Sequence, residues 1–204
     1  QAGHAPGRAP KEVSVAGGFR YHGRALKPRS QTILEYRRAY EDEWLSLRIE
    51  RYQVSGNPAV FQRSIVERRG SVVLVPLTDR GAVLLVRQRR HPAARDLLEA
   101  PAGMMEQGED PEACAQRELQ EETGHRADRL TRLPGFWVAP GWCNEYLHAF
   151  QATGLQPASL PQDEDEDVRV EETPLDRVPD LIRLGEIQDA KSIASLLCAL
   201  YLMK

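Results

Sequence analysis

The chain has 204 residues, of which 41% are hydrophobic, enough for one well-filled core or one core with a small appended subdomain. Its 27 Lys and Arg against 30 Asp and Glu leave a formal net charge of -3, which excludes a basic stripe for nucleic acid but leaves small anions open through local arginine clusters. No apolar run reaches membrane-spanning length, and three cysteines without metal-type spacing suit free thiols in a reducing compartment. The expected setting is therefore the cytoplasm, with neither a membrane nor a nucleic acid as partner.

In chain order, residues 1–25 (QAGHAPGRAPKE onward) read as a flexible leader. Residues 26–70 read as an N-terminal strand arm. In it, Trp44 to Val54 alternates Leu45, Leu47 and Ile49 with Ser46, Arg48 and Glu50, and Val60 to Glu67 follows after the turn signal Gly56-Asn57-Pro58. The two runs predict an antiparallel hairpin, expected to serve as a dimerisation arm.

Residues 71–204 read as the main domain. Ser71 to Leu77 and Ala82 to Arg90 are apolar strands flanking a turn at Thr78 to Gly81, and their continuous apolar character implies burial on both faces. A short strand at Asp96 to Ala100 leads into a turn at Pro101-Ala102-Gly103. Further strands are expected at Leu130 to Trp137, Tyr146 to Ala152 and Val168 to Glu171. A helix around Leu175 to Leu184 is closed by Gly185. A last helix, capped by Asp189, carries Ile193, Leu196, Leu197, Leu200 and Tyr201 as a core stripe. The whole reads as α/β, a mixed sheet sandwiched by helices.

Gly103 to Gly124, GMMEQGEDPEACAQRELQEETG, holds the densest chemistry. Asp110 is a good N-cap, Pro111 suits the first helical position and Gly124 can take the left-handed conformation that ends a helix, so a helix is predicted over Pro111 to Thr123. Glu118, Glu121 and Glu122 then crowd one face and repel. A hard cation with oxygen ligands, Mg²⁺ or Mn²⁺, would offset that repulsion, and Arg117 can pair with one of the carboxylates. Ala115 and Leu119 lie on the adjoining face, available for burial. An isolated REXXEE stretch would more often be a solvated acidic face. Here Gly103, Glu109, Arg117, Glu118, Glu121, Glu122 and Gly124 fall together at fixed spacing, a coincidence expected on the order of once in a million chains of this length.

That spacing is identified as a Nudix box. VRQRR, LLEAPAGMMEQGE, APGWCNE, DEDEDVRV and EIQDAKSIASLL resemble the ADP-ribose and nucleoside-diphosphate-sugar pyrophosphatase branch of the Nudix hydrolases. The resemblance implies an α/β/α Nudix sandwich and N-terminal strands exchanged in a homodimer. It also implies metal-dependent cleavage of the diphosphate of ADP-ribose or a related nucleotide sugar. By resemblance Glu118, Glu122, the Ala102 carbonyl and Glu166 are metal ligands. Glu164 is the base, while Glu121 binds a second metal or orients its water, with Arg117 holding the box carboxylates. Arg90 and Arg87 would grip the diphosphate beside Glu99 and Gly103, Glu145 would contact the sugar, and Arg63 and Glu67 are candidates for recognising the base. His125, where the box usually carries an aliphatic residue, is expected to alter stability rather than chemistry. A non-catalytic Nudix-fold binding module, or a hydrolase of dinucleotides or triphosphates, would use the same helix.

Overall fold

The computed structural model describes residues 30–161 and 168–202. By contact density the chain divides into two units, the first within Gln1–Arg68 plus Gly141–Asn144, the second Arg69–Pro140 plus Glu145–Lys204. The leader lies outside the described residues.

The first unit is an antiparallel three-stranded sheet in the order β1 (Gln31–Glu41), β2 (Ser46–Val54), β3 (Val60–Glu67). The hairpin of β2 and β3 forms as expected, around Gly56 at φ 80° and with Asn57 Oδ1 accepting from the Ala59 amide at 3.0 Å. Strand β1 has no counterpart in the sequence reading. Nearly all of its residues are exposed on both faces, so no apolar alternation marks it, and its main-chain ladder to β2 holds it. At its far end Asp42 Oδ1 accepts from the amides of Trp44 and Leu45, both at 2.8 Å, closing the turn and delaying β2 until Ser46. The Gly141–Asn144 segment joins this unit through main-chain bonds, from the Val66 amide to Trp142 O at 2.8 Å and from the Asn144 amide to Val66 O at 3.1 Å.

The second unit carries β4 (Ser71–Pro76), β5 (Ala82–Arg90), β6 (Arg95–Glu99), β7 (Ala102–Met104), α1 (Pro111–Thr123), β8 (His125–Arg132), β9 (Phe136–Trp137), β10 (Tyr146–Pro157), β11 (Arg169–Pro174), α2 (Val178–Leu184) and α3 (Ala190–Tyr201). One mixed sheet runs β7-β4-β10-β8, with β4 and β10 parallel and β9 paired to β10, and an antiparallel sheet runs β11-β5-β6. Residues of β4 and β10 alternate between two cores. Val73, Val75, Leu147 and Ala149 pack with Val178 of α2 and Leu196 of α3, while Val72, Leu74, Phe150 and Ala152 pack with Cys114, Ala115 and Leu119 of α1. Helices on both sides of a mixed sheet make the expected α/β/α sandwich.

Several sequence expectations shift. Ala102-Gly103 is not a turn but opens β7, paired antiparallel with β4 through Val73↔Ala102 and Val72↔Gly103. The strand expected at Leu130 to Trp137 is cut into β8 and β9, because Pro134 has no amide to donate and Gly135 packs where a Cβ would lie 2.5 Å from the Tyr146 hydroxyl. The helix around Leu175 begins as a 3₁₀ turn, which leaves Pro179 in the first turn of α2, where its missing N–H is harmless. In α3 the buried face is Ser192, Ser195 and Leu196, with Ile193, Leu197 and Leu200 partly buried; Tyr201 is exposed because it lies in the last turn. Among the described residues no helix is long and apolar enough to cross a membrane.

Candidate active site

The box helix forms over the predicted span. Asp110 Oδ1 accepts from the Glu112 amide at 2.8 Å, Pro111 starts the first turn, and Gly124 at φ 70° returns its amide to Gln120 O at 3.1 Å. His125 does not fray this end: its ring Nδ1 lies 2.7 Å from Thr123 O and its backbone opens β8. Leu119, Ala115 and Cys114 are fully buried, so the opposite stripe of α1 is fixed in orientation by the core.

Arg117 is the hub of that stripe. Its Nε and Nη2 fork onto Glu109 Oε1 and Oε2, each at 3.1 Å, Nη1 donates to Glu118 Oε1 at 2.8 Å and Glu121 Oε2 at 2.9 Å, and Nη2 reaches Met104 O at 3.2 Å. Hydrogen bonds donated to Glu109 raise the guanidinium pKa further, and in return Arg117 holds the Glu109 carboxyl below its ordinary range. Burial first, then the charges of Glu118 and Glu109, push the Cys114 thiol well up, so it stays protonated beneath the guanidinium. The repulsion read from the sequence is thus partly relieved by the protein itself. Glu118 and Glu121 share one cation, while Glu122 turns to β7.

Glu122 and Glu118 are 3% and 8% exposed, unusual burial for carboxylates. Glu122 Oε2 accepts from the Ala102 amide at 3.0 Å, which brings the Ala102 peptide to the same spot. Gly103 adjoins Glu118 so closely that a Cβ there would sit 1.9–2.1 Å from the carboxylate atoms. Its φ is not in the left-handed region, so space rather than backbone freedom requires the glycine. Among the described residues no cluster of three or more His, Cys, Asp or Glu is gathered as a metal cage. Even so, two buried carboxylates beside a cradle that a methyl group would fill are oxygen donors of the kind that fits a hard divalent ion.

A second ion cluster stands where β5, β6 and α3 meet. Glu99, 1% exposed, takes Arg90 Nε on Oε1 at 3.0 Å and Arg90 Nη2 on Oε2 at 2.8 Å, and also pairs with Lys191. Burial pushes the Glu99 carboxyl up, but the hydrogen bonds and charges of Arg90 and Lys191 outweigh it and leave it below the ordinary carboxylate range. Burial disfavours the Arg90 cation, yet Glu99 first, and then the fields of Glu122 and Asp189, hold it charged. Lys191 was not among the residues singled out in the sequence; the signal is that it follows the α3 N-cap Asp189, whose Oδ2 it meets at 3.0 Å.

Arg87 alternates to the opposite face of β5 from Arg90 and pairs with Glu171 of β11, Nη2 to Oε2 at 3.2 Å. Glu145 accepts from Ser71 Oγ at 2.8 Å. Arg63 and Glu67 belong to the first unit, Arg63 over the Tyr52 ring at 5.4 Å and Glu67 paired with Arg48 at 3.2 Å. Glu164 and Glu166 lie outside the described residues.

The NUDIX domain family model matches residues 67–196, about two thirds of the chain. The chain belongs to the Nudix family. It is a Nudix hydrolase, 40% identical over 138 residues to the ADP-ribose pyrophosphatase of Bacillus subtilis, covering 67% of this chain and 75% of that one. It is also 30% identical over 165 residues to the GDP-mannose pyrophosphatase of Citrobacter koseri, covering 74% and 86% respectively. The crystal structure of an ADP compounds hydrolase superposes with a TM-score of 0.76 at 25% identity, over 86% of this Nudix chain and 95% of that chain.

Proposed function

We propose that this Nudix hydrolase cleaves the diphosphate of a nucleoside diphosphate sugar, ADP-ribose or a relative such as GDP-mannose, with Mg²⁺ or Mn²⁺. The observation that carries the reading is the pair of buried box carboxylates, Glu118 and Glu122, packed against Gly103 and the Ala102 amide of β7, with the Arg90–Glu99 ion pair on β5 and β6 of the same unit. Relatives named for ADP-ribose and for GDP-mannose support the substrate class.

In this reading Glu118, Glu122 and the Ala102 carbonyl hold the divalent ion, with Glu166 as a further ligand on the strength of the resemblance. Bound there, the ion would screen the diphosphate's charge and polarise a water. The chain's own residues do the rest. Arg90, its guanidinium plane fixed by Glu99, donates paired N–H groups to diphosphate oxygens. Arg117 keeps Glu118 and Glu121 from swinging into solvent, and Glu121 orients the attacking water or a second ion. Water adds to one phosphorus as the bridging P–O bond breaks, its proton passing to Glu164, and the products are a nucleoside monophosphate and a sugar phosphate. Arg87 remains a second candidate for the diphosphate, Glu145 for the sugar, and Arg63 and Glu67 for the base.

The test is a panel of ADP-ribose, GDP-mannose, CDP-linked compounds, dinucleotides and nucleoside triphosphates, with products separated by chromatography. The nucleotide sugars should turn over fastest; preference for a triphosphate or a dinucleotide would displace this reading. The first unit, with Ile33, Leu34, Val60 and Phe61 exposed, serves in the same reading as the arm of a homodimer. Light scattering at micromolar concentration should give the mass of two chains, and a single-chain mass would remove that part.

A further inference from the structure

We infer that Gln88 is a substrate-binding residue whose side-chain amide donates to a non-bridging oxygen of the diphosphate. The inference rests on the function proposed above and adds to it a contact that neither the box nor the arginines supply.

Gln88 lies in β5 and is 6% exposed, yet its Nε2 has no hydrogen-bond partner. A buried donor left unpaired loses its hydration without replacement, and folded proteins rarely tolerate this unless something else satisfies the group. The register shows which face of the sheet the side chain leaves from. On the antiparallel pair of β5 and β6, Gln88 is opposite Leu97, Val86 opposite Glu99 and Arg90 opposite Arg95, so the side chains of Gln88, Arg90 and Glu99 share one face. That is the face on which Arg90 grips Glu99. The opposite face of β5, with Val83 and Leu85, is sealed in the core against α2 and α3.

A second orphan falls beside the same cluster. Among the described residues of the second unit, the other buried side-chain atom without a hydrogen bond is Asp189 Oδ1, on the residue whose other oxygen meets Lys191. An acceptor does not meet an anionic oxygen, so of the two only the Gln88 donor bears on the diphosphate. A neutral amide suits the place next to Arg90: it adds a directed donor to an anionic ligand without adding a third cation to Glu99.

Gln88→Met keeps the length and removes the donor; Gln88→Glu keeps the shape and sets a negative charge against the phosphates. Both are assayed with the compounds that the wild type cleaves, alongside thermal unfolding. In Gln88→Met, kcat/KM should fall roughly tenfold to a hundredfold, the loss expected for one hydrogen bond to a charged oxygen, while the unfolding midpoint holds or rises because an unpaired donor has gone. Gln88→Glu should lose more. Activity of Gln88→Met within about twofold of wild type would overturn the inference, as would equal losses in both variants together with a lowered midpoint, the pattern of a merely structural amide. A wild type that cleaves no nucleotide sugar sinks the underlying reading, whereas an active wild type with an indifferent Gln88→Met sinks this inference alone.

Discussion

Glu122→Gln should fold as the wild type does and lose about a thousandfold in kcat, a barrier increase of roughly 4 kcal/mol. The fold survives because the amide oxygen of the replacement can still accept from the Ala102 N–H, the bond that Glu122 Oε2 makes at 3.0 Å. What disappears is one negative charge in a buried place, and with it, in the proposed function, a hard oxygen ligand. Thermal unfolding and the rate of nucleoside monophosphate release, measured on the same preparation, separate the two effects. Undiminished release would show that the chemistry does not run through this face of α1. A collapsed midpoint would show instead that Glu122 serves the fold.

Gly103→Ala is expected to lose about a hundredfold in kcat/KM with a modest drop in stability, the effect of displacing a working group by about 1 Å. Its added methyl would meet the Glu118 carboxylate at 1.9–2.1 Å, and since Gly103 needs no left-handed backbone, the side chain must move rather than the strand. Glu118 cannot move alone. Its Oε1 shares Arg117 Nη1 with Glu121, and the same guanidinium holds Glu109, so the disturbance spreads through the box carboxylates. Steady-state kinetics beside a thermal melt decide it: wild-type activity in Gly103→Ala would mean that the position of Glu118 is immaterial.

How much of this was legible in the sequence depends on whether the deciding contacts are local. The helix Pro111–Thr123 was readable to the residue, because Asp110, Pro111 and Gly124 specify its ends within the segment itself. Strands β4 and β5 were readable from unbroken apolar runs, since burial on both faces leaves no polar alternation. Strand β1 was invisible for the converse reason: an exposed strand has no apolar period, and only its ladder to β2 defines it. At the site, Arg117 and the box carboxylates are close in sequence and their pairing could be anticipated. Glu99 and Lys191 are separated by 92 positions, so their pairing emerges only when α3 is laid against the end of β6. Likewise, the carboxylate partners of Arg87 and Arg90 emerge only from the fold, Glu171 of β11 for the former and Glu99 of β6 for the latter. The unpaired amide of Gln88 is legible only from a fold in which its neighbours can be counted.

The central claim is that Glu118, Glu122 and the Ala102 carbonyl turn a divalent ion against a diphosphate. The most direct measurement is the substrate panel run on wild-type protein stripped by chelator, then with Mg²⁺ or Mn²⁺ restored. The account predicts no cleavage in the stripped protein and, on restoring the ion, release of a nucleoside monophosphate and a sugar phosphate from ADP-ribose or GDP-mannose. Cleavage that persists undiminished under chelation would contradict it, and so would tight binding of these compounds with no turnover in either metal.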